Sequence, residues 1–118
     1  MFGIFGSGKV RDWSPAEVDQ GLKDAKIILV DVREPAEFQS QRIAGAIHHP
    51  LSSFEPKALP APNGKTIVLH CGSGMRSAKA VEQCKKAGLD IDSHLAGGIN
   101  AWKGAGLPTL SGPVKSGR

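Results

Sequence analysis

Two stretches of this chain are apolar at every position, Ile27-Ile28-Leu29-Val30 and Ile67-Val68-Leu69. Neither alternates with polar residues, so each reads as a strand covered on both faces, as in a parallel sheet. The first ends at Asp31 and the second runs into His70 and Cys71. Other stretches follow a helical period. Ser14-Pro15-Ala16-Glu17 opens a helix with a capping serine, a proline in the first helical position and a glutamate placed for a capping box. It is expected to run to about Gly21 with Val18 and Leu22 inward. Pro35 to Gln41 reads as a short helix anchored by Phe38, and Ile43 to Ile47 as a strand in which Gly45 permits close packing. Leu51 to Phe54 reads as a helical turn. The Pro- and Ala-rich stretch from Pro56 to Gly64 is a connector that ends in an Asn63-Gly64 turn. Ser77 to Ala87 reads as a helix stopped by Gly88, with Ala80, Val81, Cys84 and Ala87 on one face. Leu89 to Leu95 reads as the last strand, and Ile99 to Lys103 as a short helix with Trp102 packed inward. Strands alternating with helices predict an α/β fold whose largely parallel sheet is covered on both sides.

At 118 residues the chain is expected to form one domain with its own core. No apolar run approaches the ~20 residues of a membrane helix. Of the formal charge of +4, residues 1–12 carry +1 and residues 109–118 carry +2, which leaves the part between them only +1. Such a core, without a basic stripe interleaved with aromatics, argues against nucleic acid as a partner. The two cysteines, Cys71 and Cys84, match neither a zinc pattern nor a disulfide scaffold, and reduced thiols in a cytoplasm fit better. Met1 to Lys9 lacks the order of a signal sequence and is expected to be a flexible tail. Phe2, Ile4 and Phe5 in it are available to fold back or to touch a partner. Residues 1–12 and 109–118 are expected as flexible and disordered tails around a domain spanning 13–108.

The chemistry centres on Cys71-Gly72-Ser73-Gly74-Met75-Arg76-Ser77. A cysteine at a strand end, a tight loop with two glycines and a helix start make an environment that favours the thiolate. The helix N-terminus supplies unpaired N–H donors and partial positive charge, successive loop N–H groups form an anion nest, and Arg76 adds a full charge. Gly72 and Gly74 let the backbone curl, and Ser73 and Ser77 offer hydroxyls. The plainer alternative is an inert buried cysteine beside a turn.

Other candidates carry two readings. Asp31 and Arg33, at the end of a parallel strand, either approach Cys71 or tie loops together by an ion pair. His70 either braces the loop or simply packs. Cys84 is a small core residue or a resolving cysteine, although about 10 Å of helix separates it from the loop. His48 and His49 are adjacent and point apart on an extended chain, which suits a turn better than a metal site. Gly98 either places a backbone N–H or opens space beside the Cys71 loop, or is a plain turn glycine.

Four stretches in register resemble the rhodanese family of sulfurtransferases: Leu29 to Phe38, Ile43 to His48, Cys71 to Ser77, and Leu95 to Trp102 followed by Gly106-Leu107-Pro108. The family often has Gly-His where this chain has Gln41-Arg42. The resemblance implies a rhodanese-like three-layer domain over 13–108 with about five strands. It implies transfer of a sulfane sulfur from a donor such as thiosulfate to cyanide or a thiol through a Cys71 persulfide. Gly72, Ser73, Gly74, Met75, Arg76 and Ser77 would bind the substrate, Asp31 and Arg33 would shape the site, and no metal or organic cofactor would be needed. The expected partners are a small anionic sulfur donor and a small or protein thiol. A persulfide carrier serving a protein partner is the alternative. Cysteine phosphatases or arsenate reductases are the weaker one, because such phosphatases resemble Cys-x5-Arg and this loop is Cys-x4-Arg.

Overall fold

Side chains that alternate along the two central strands set the layers of the molecule. In the computed structural model, which describes residues 9–113, strand β2 (Ile27–Asp31) lies parallel to β4 (Thr66–His70), with Val30 opposite Leu69 and Asp31 opposite His70. Ile27, Leu29 and Val68 point to one face and Val30, Ile67 and Leu69 to the other, as the two-residue period of a strand requires. The first face packs against Val18 of helix α1 (Pro15–Lys23) and against Ile99 and Trp102 of α4 (Gly98–Gly104). The second packs against Ala80, Val81 and Cys84 of α3 (Met75–Lys86). Helix α2 (Pro35–Ser40), strand β1 (Arg11–Trp13), strand β3 (Ile47–His48) and strand β5 (Ser93–Leu95) complete the set. Among the described residues the sheet has five strands, all parallel, in the order β1-β5-β4-β2-β3. This is the α/β architecture with a sheet covered on both sides that the pattern predicts, in the three layers that the resemblance implies.

Several boundaries differ from expectation, each for a local reason. β1 is absent from the sequence reading because Arg11 and Asp12 are exposed and the strand has three residues at a sheet edge. Ile43 is buried in the core, but the chain turns through Gly45 (φ 88°) before β3 begins at Ile47. A Cβ on Gly45 would touch nothing, so its service is the left-handed turn rather than close packing. β5 begins at Ser93 instead of Leu89. The Leu89 N–H bonds back to Cys84 O at 3.0 Å and the Gly88 N–H to Lys85 O at 3.0 Å, with Gly88 at φ 83°. These are the two bonds of a Schellman motif, which spends Leu89 on ending α3.

Residues 109–112, expected to be disordered, are tied to the domain. Leu110 exchanges two backbone hydrogen bonds with Arg42, and Arg42 Nη1 donates to Gly112 O at 2.7 Å. Arg42, where the sequence departs from the family's usual residue, thus fastens the C-terminal segment. The expectation for Phe2, Ile4 and Phe5 lies outside the described residues. Among the described residues, no helix is long and apolar enough to cross a membrane.

Candidate active site

Cys71 follows the carboxyl end of β4, in the middle of the sheet, where α/β folds gather their ligands. Gly74 then adopts φ 108° and turns the chain so sharply that α3 begins at Met75, two residues before the expected start. Ser77 consequently falls in the first helical turn, where backbone N–H groups have no partner within the helix. Its N–H donates to Cys71 Sγ at 3.3 Å and the Gly74 N–H donates at 3.1 Å. The Ser77 hydroxyl stands 3.5 Å from the same sulfur. The loop carbonyls face elsewhere because α4 takes them: Ile99 N–H donates to Cys71 O at 2.9 Å and Asn100 N–H to Gly72 O at 3.1 Å. Donors therefore converge on the sulfur and acceptors are turned away from it.

Gly98 makes that arrangement possible. A Cβ at this position would lie 2.4 Å from Cys71 O and 2.5 Å from Gly72 O, and the residue has φ 61°. The plain-turn reading of Gly98 is corrected, because only a residue without a side chain lets α4 approach the loop this closely.

Cys71 is completely buried. Burial alone pushes its thiol up, but the Ser77 hydroxyl and the N–H groups of Ser77, Gly74 and Ser73 outweigh it and hold the pKa below the ordinary thiol value. Cys84 has only the burial and is pushed up to about 11. The two cysteines share one core cluster and differ in their hydrogen bonds. The shift is thus downward at Cys71, which has donors to its sulfur, and upward at Cys84, which has none among the described residues.

A cleft of about 490 Å³ opens over Gly72 and Ser73, with Arg76, Arg33 and Lys103 on its walls. Arg76, expected to add its charge to the loop, is within coulombic reach of Cys71 and makes a two-pronged ion pair with Glu37, Nη1 to Oε1 at 2.8 Å and Nη2 to Oε2 at 2.9 Å. The guanidinium holds the Glu37 carboxyl down at about 2, so the pair stays ionised. Met75 is 80% exposed beside the loop.

Asp31 and Arg33 support the site from outside the cradle. Asp31 is fully buried and accepts from the Arg33 N–H at 2.9 Å, from Nε at 3.1 Å and from Nη2 at 2.7 Å. Arg33 Nη2 also donates to Gln41 O at 2.6 Å. His70, beside Asp31 in register, is buried with its pKa lowered by desolvation, and its Nδ1 lies 3.2 Å from Cys71 O. These contacts favour the loop-tying reading of Asp31 and Arg33 and the bracing reading of His70. His48 stacks on Phe38 and bonds Arg33 O through Nε2 at 2.7 Å.

The family model for the rhodanese-like domain matches residues 14–105. The chain belongs to the rhodanese family. It is 31% identical over 103 residues to a sulfurtransferase of Allochromatium vinosum, covering 86% of this chain and 96% of that protein. It is 46% identical over 97 residues to an uncharacterised protein of Synechocystis sp., covering 82% of this chain and 54% of the other. The chain thus spans about half the length of that relative. A rhodanese-related protein from Thermoplasma volcanium shares the fold at a TM-score of 0.73 and 33% identity, over 85% of this chain and 97% of that one. Among this chain's relatives are a protein named a sulfurtransferase in Allochromatium vinosum and one named a putative sulfur carrier protein in Bacillus subtilis.

The rhodanese loop residues were readable from the sequence because they are contiguous. Glu37, Ile99 and Asn100 were not assigned to the site, since they reach it from α2 and α4 and only the fold brings them there.

Proposed function

We propose that the protein is a sulfurtransferase that moves a sulfane sulfur from a small anionic donor such as thiosulfate to cyanide or a thiol, through a persulfide on Cys71. The observation that carries this reading is the convergence of two backbone N–H groups and one hydroxyl on the Cys71 sulfur. The Cys71 thiolate attacks the outer sulfur of thiosulfate. The S–S bond of the donor breaks, and sulfite leaves with its electron pair. The product, Cys–S–S⁻, carries its charge on the outer sulfur, within reach of the loop N–H groups of Gly72 to Ser77. An acceptor nucleophile then attacks that outer sulfur, and Cys71 leaves as a thiolate ready for another cycle.

Arg76 and Lys103, on the cleft walls, meet the anionic end of the donor, and Glu37 keeps Arg76 aimed. Asp31 and Arg33 hold the loop's support in place. A cradle with four residues between Cys71 and Arg76 suits one sulfur atom better than a tetrahedral phosphate. Neither half-reaction needs a metal or an organic cofactor. Two cysteines without a disulfide suit a reducing compartment such as the cytoplasm.

Steady-state transfer from thiosulfate, measured with cyanide, with a small thiol and with a protein thiol, tests this reading. We expect many turnovers with the small acceptors. A protein that takes up one sulfur and yields it only to a protein thiol would be a carrier, and the enzymatic reading would fall.

A further inference from the structure

Ser77 Oγ stands between two groups, 3.5 Å from Cys71 Sγ and 2.8 Å from Nδ1 of His94. Across the ring, His94 Nε2 is 2.9 Å from Asp12 Oδ1. Cys71 and Ser77 are fully buried and His94 nearly so, whereas the Asp12 side chain is 71% exposed. Four side chains, from the loop after β4 and from α3, β5 and β1, thus run unbroken from the sulfur to solvent. The sulfur-transfer scheme above uses Cys71 and Ser77 and assigns nothing to His94 or Asp12. Neither of these two lines the cleft.

The directions of these hydrogen bonds are constrained. An ionised Asp12 only accepts, so His94 Nε2 carries a proton. A neutral ring then has a free lone pair on Nδ1. Ser77 donates to that lone pair and accepts from the Cys71 thiol. When Cys71 is a thiolate, the directions reverse: Ser77 donates to the sulfur and accepts from Nδ1–H of an imidazolium. Both arrangements hold the same number of protons. The competing acceptor for the Ser77 hydroxyl is Gly74 O, at 3.2 Å.

We propose that Ser77, His94 and Asp12 form a proton relay that receives the Cys71 proton, so that thiolate and imidazolium appear together. The proposal rests on the reading of Cys71 as the nucleophile and deepens it. In the step, the Cys71 S–H bond breaks and its proton passes to Ser77 Oγ. The original Ser77 hydroxyl proton passes to His94 Nδ1. One S–H and one O–H bond are lost, one O–H and one N–H bond are formed, and no oxidant or reductant is involved. The Asp12 carboxylate stabilises the resulting imidazolium through Nε2–H. His94 and Asp12 act through Ser77 and are positioning residues. Among the described residues, the ionisable groups bonded to His94 are Asp12 from β1 and, through Ser77, Cys71. Its partner on β4 is Leu69 and the nearby loop residue is Gly74, neither of which carries a charge.

The test is a pH titration of the ultraviolet absorbance of the thiolate in a Cys84→Ser background, where Cys71 is the sole thiol. His94→Phe and Asp12→Asn are compared with the parent, each with a thermal melt to establish folding. The expected result for His94→Phe is an about tenfold smaller thiolate fraction below the parent's midpoint. Asp12→Asn is expected to lower it about two- to fivefold, since its charge is exposed and screened. In the parent, the imidazole nitrogen resonances of His94 should respond to formation of the Cys71 thiolate. Thiolate curves that coincide with the parent's in both folded variants would overturn the relay. So would His94 resonances that are indifferent to formation of the Cys71 thiolate. If His94→Phe shifts the curve and Asp12→Asn does not, Asp12 is removed from the relay. Because His94→Phe replaces a buried ring, the surface variant Asp12→Asn keeps the test open should the first fail to fold. The titration uses no sulfur donor, so it distinguishes failure of the relay from failure of the sulfurtransferase reading, which the turnover assay reports separately.

Discussion

Cys71→Ser abolishes sulfur transfer, with turnover falling on the order of 10³-fold or more. The serine hydroxyl fits the same space, and the Gly74 and Ser77 N–H groups can donate to it as they do to the sulfur. Its oxygen, however, is not ionised by this cradle near neutral pH and forms no stable oxygen–sulfur counterpart of the persulfide. The fold should survive, because the exchange changes little volume and strands no donor. A stability change of about 1 kcal/mol is expected. Initial rates with thiosulfate and cyanide, alongside thermal melts of both proteins, check this. Retained turnover in the folded variant would remove Cys71 from the mechanism.

Asp31→Ala is expected to cost about 3–5 kcal/mol, the range for breaking a buried ion pair from one side. Arg33 is itself buried, and the substitution leaves its guanidinium with only Gln41 O among the partners it has here. The Arg33 N–H loses its acceptor as well. Against a total stability of about 5–15 kcal/mol for a domain of this kind, that loss brings the protein near unfolding at ordinary temperature. Urea denaturation of the variant gives the number directly. Replacing both partners, as Asp31→Leu with Arg33→Met, should recover most of the loss, since it leaves no stranded charge. If the single variant proves as stable as the parent, the pair does not hold the carboxyl end of β2. The expected order, double variant above single, separates a stranded charge from a mere loss of packing.

How much of the molecule was legible in the sequence depends on how local each feature is. Ile27 to Val30 and Ile67 to Leu69 are apolar at every position because both faces of the sheet are covered, and that signal survives without any tertiary information. Ser14 and Glu17 marked the start of α1, where each side chain does accept the other's backbone N–H. Arg11 to Trp13 gave no such signal, because an exposed edge strand of three residues has no apolar pattern to show. Leu89 looked like a strand residue because alternation records burial and not its cause, and here the cause is the end of α3. Leu110 was read as tail because its partner, Arg42, lies far away in sequence. The site divides in the same way. Cys71, Gly74 and Ser77 lie within one short stretch, so the cradle could be inferred from residue types and spacing. Glu37 and His94 reach it only because the parallel sheet aligns its carboxyl ends with the start of α3. For Arg76, spacing from Cys71 gave its charge a place near the loop, and Glu37, which only the fold brings there, decides where the guanidinium rests.

The central claim is that Cys71 carries the sulfur as a persulfide, and intact mass after incubation with thiosulfate tests it most directly. The account predicts the added mass of one sulfur atom on the wild-type protein, its loss on treatment with cyanide, and no addition to Cys71→Ser. An adduct that persists in Cys71→Ser, or a folded wild-type protein that gains no sulfur from thiosulfate or from a persulfide donor, would contradict it.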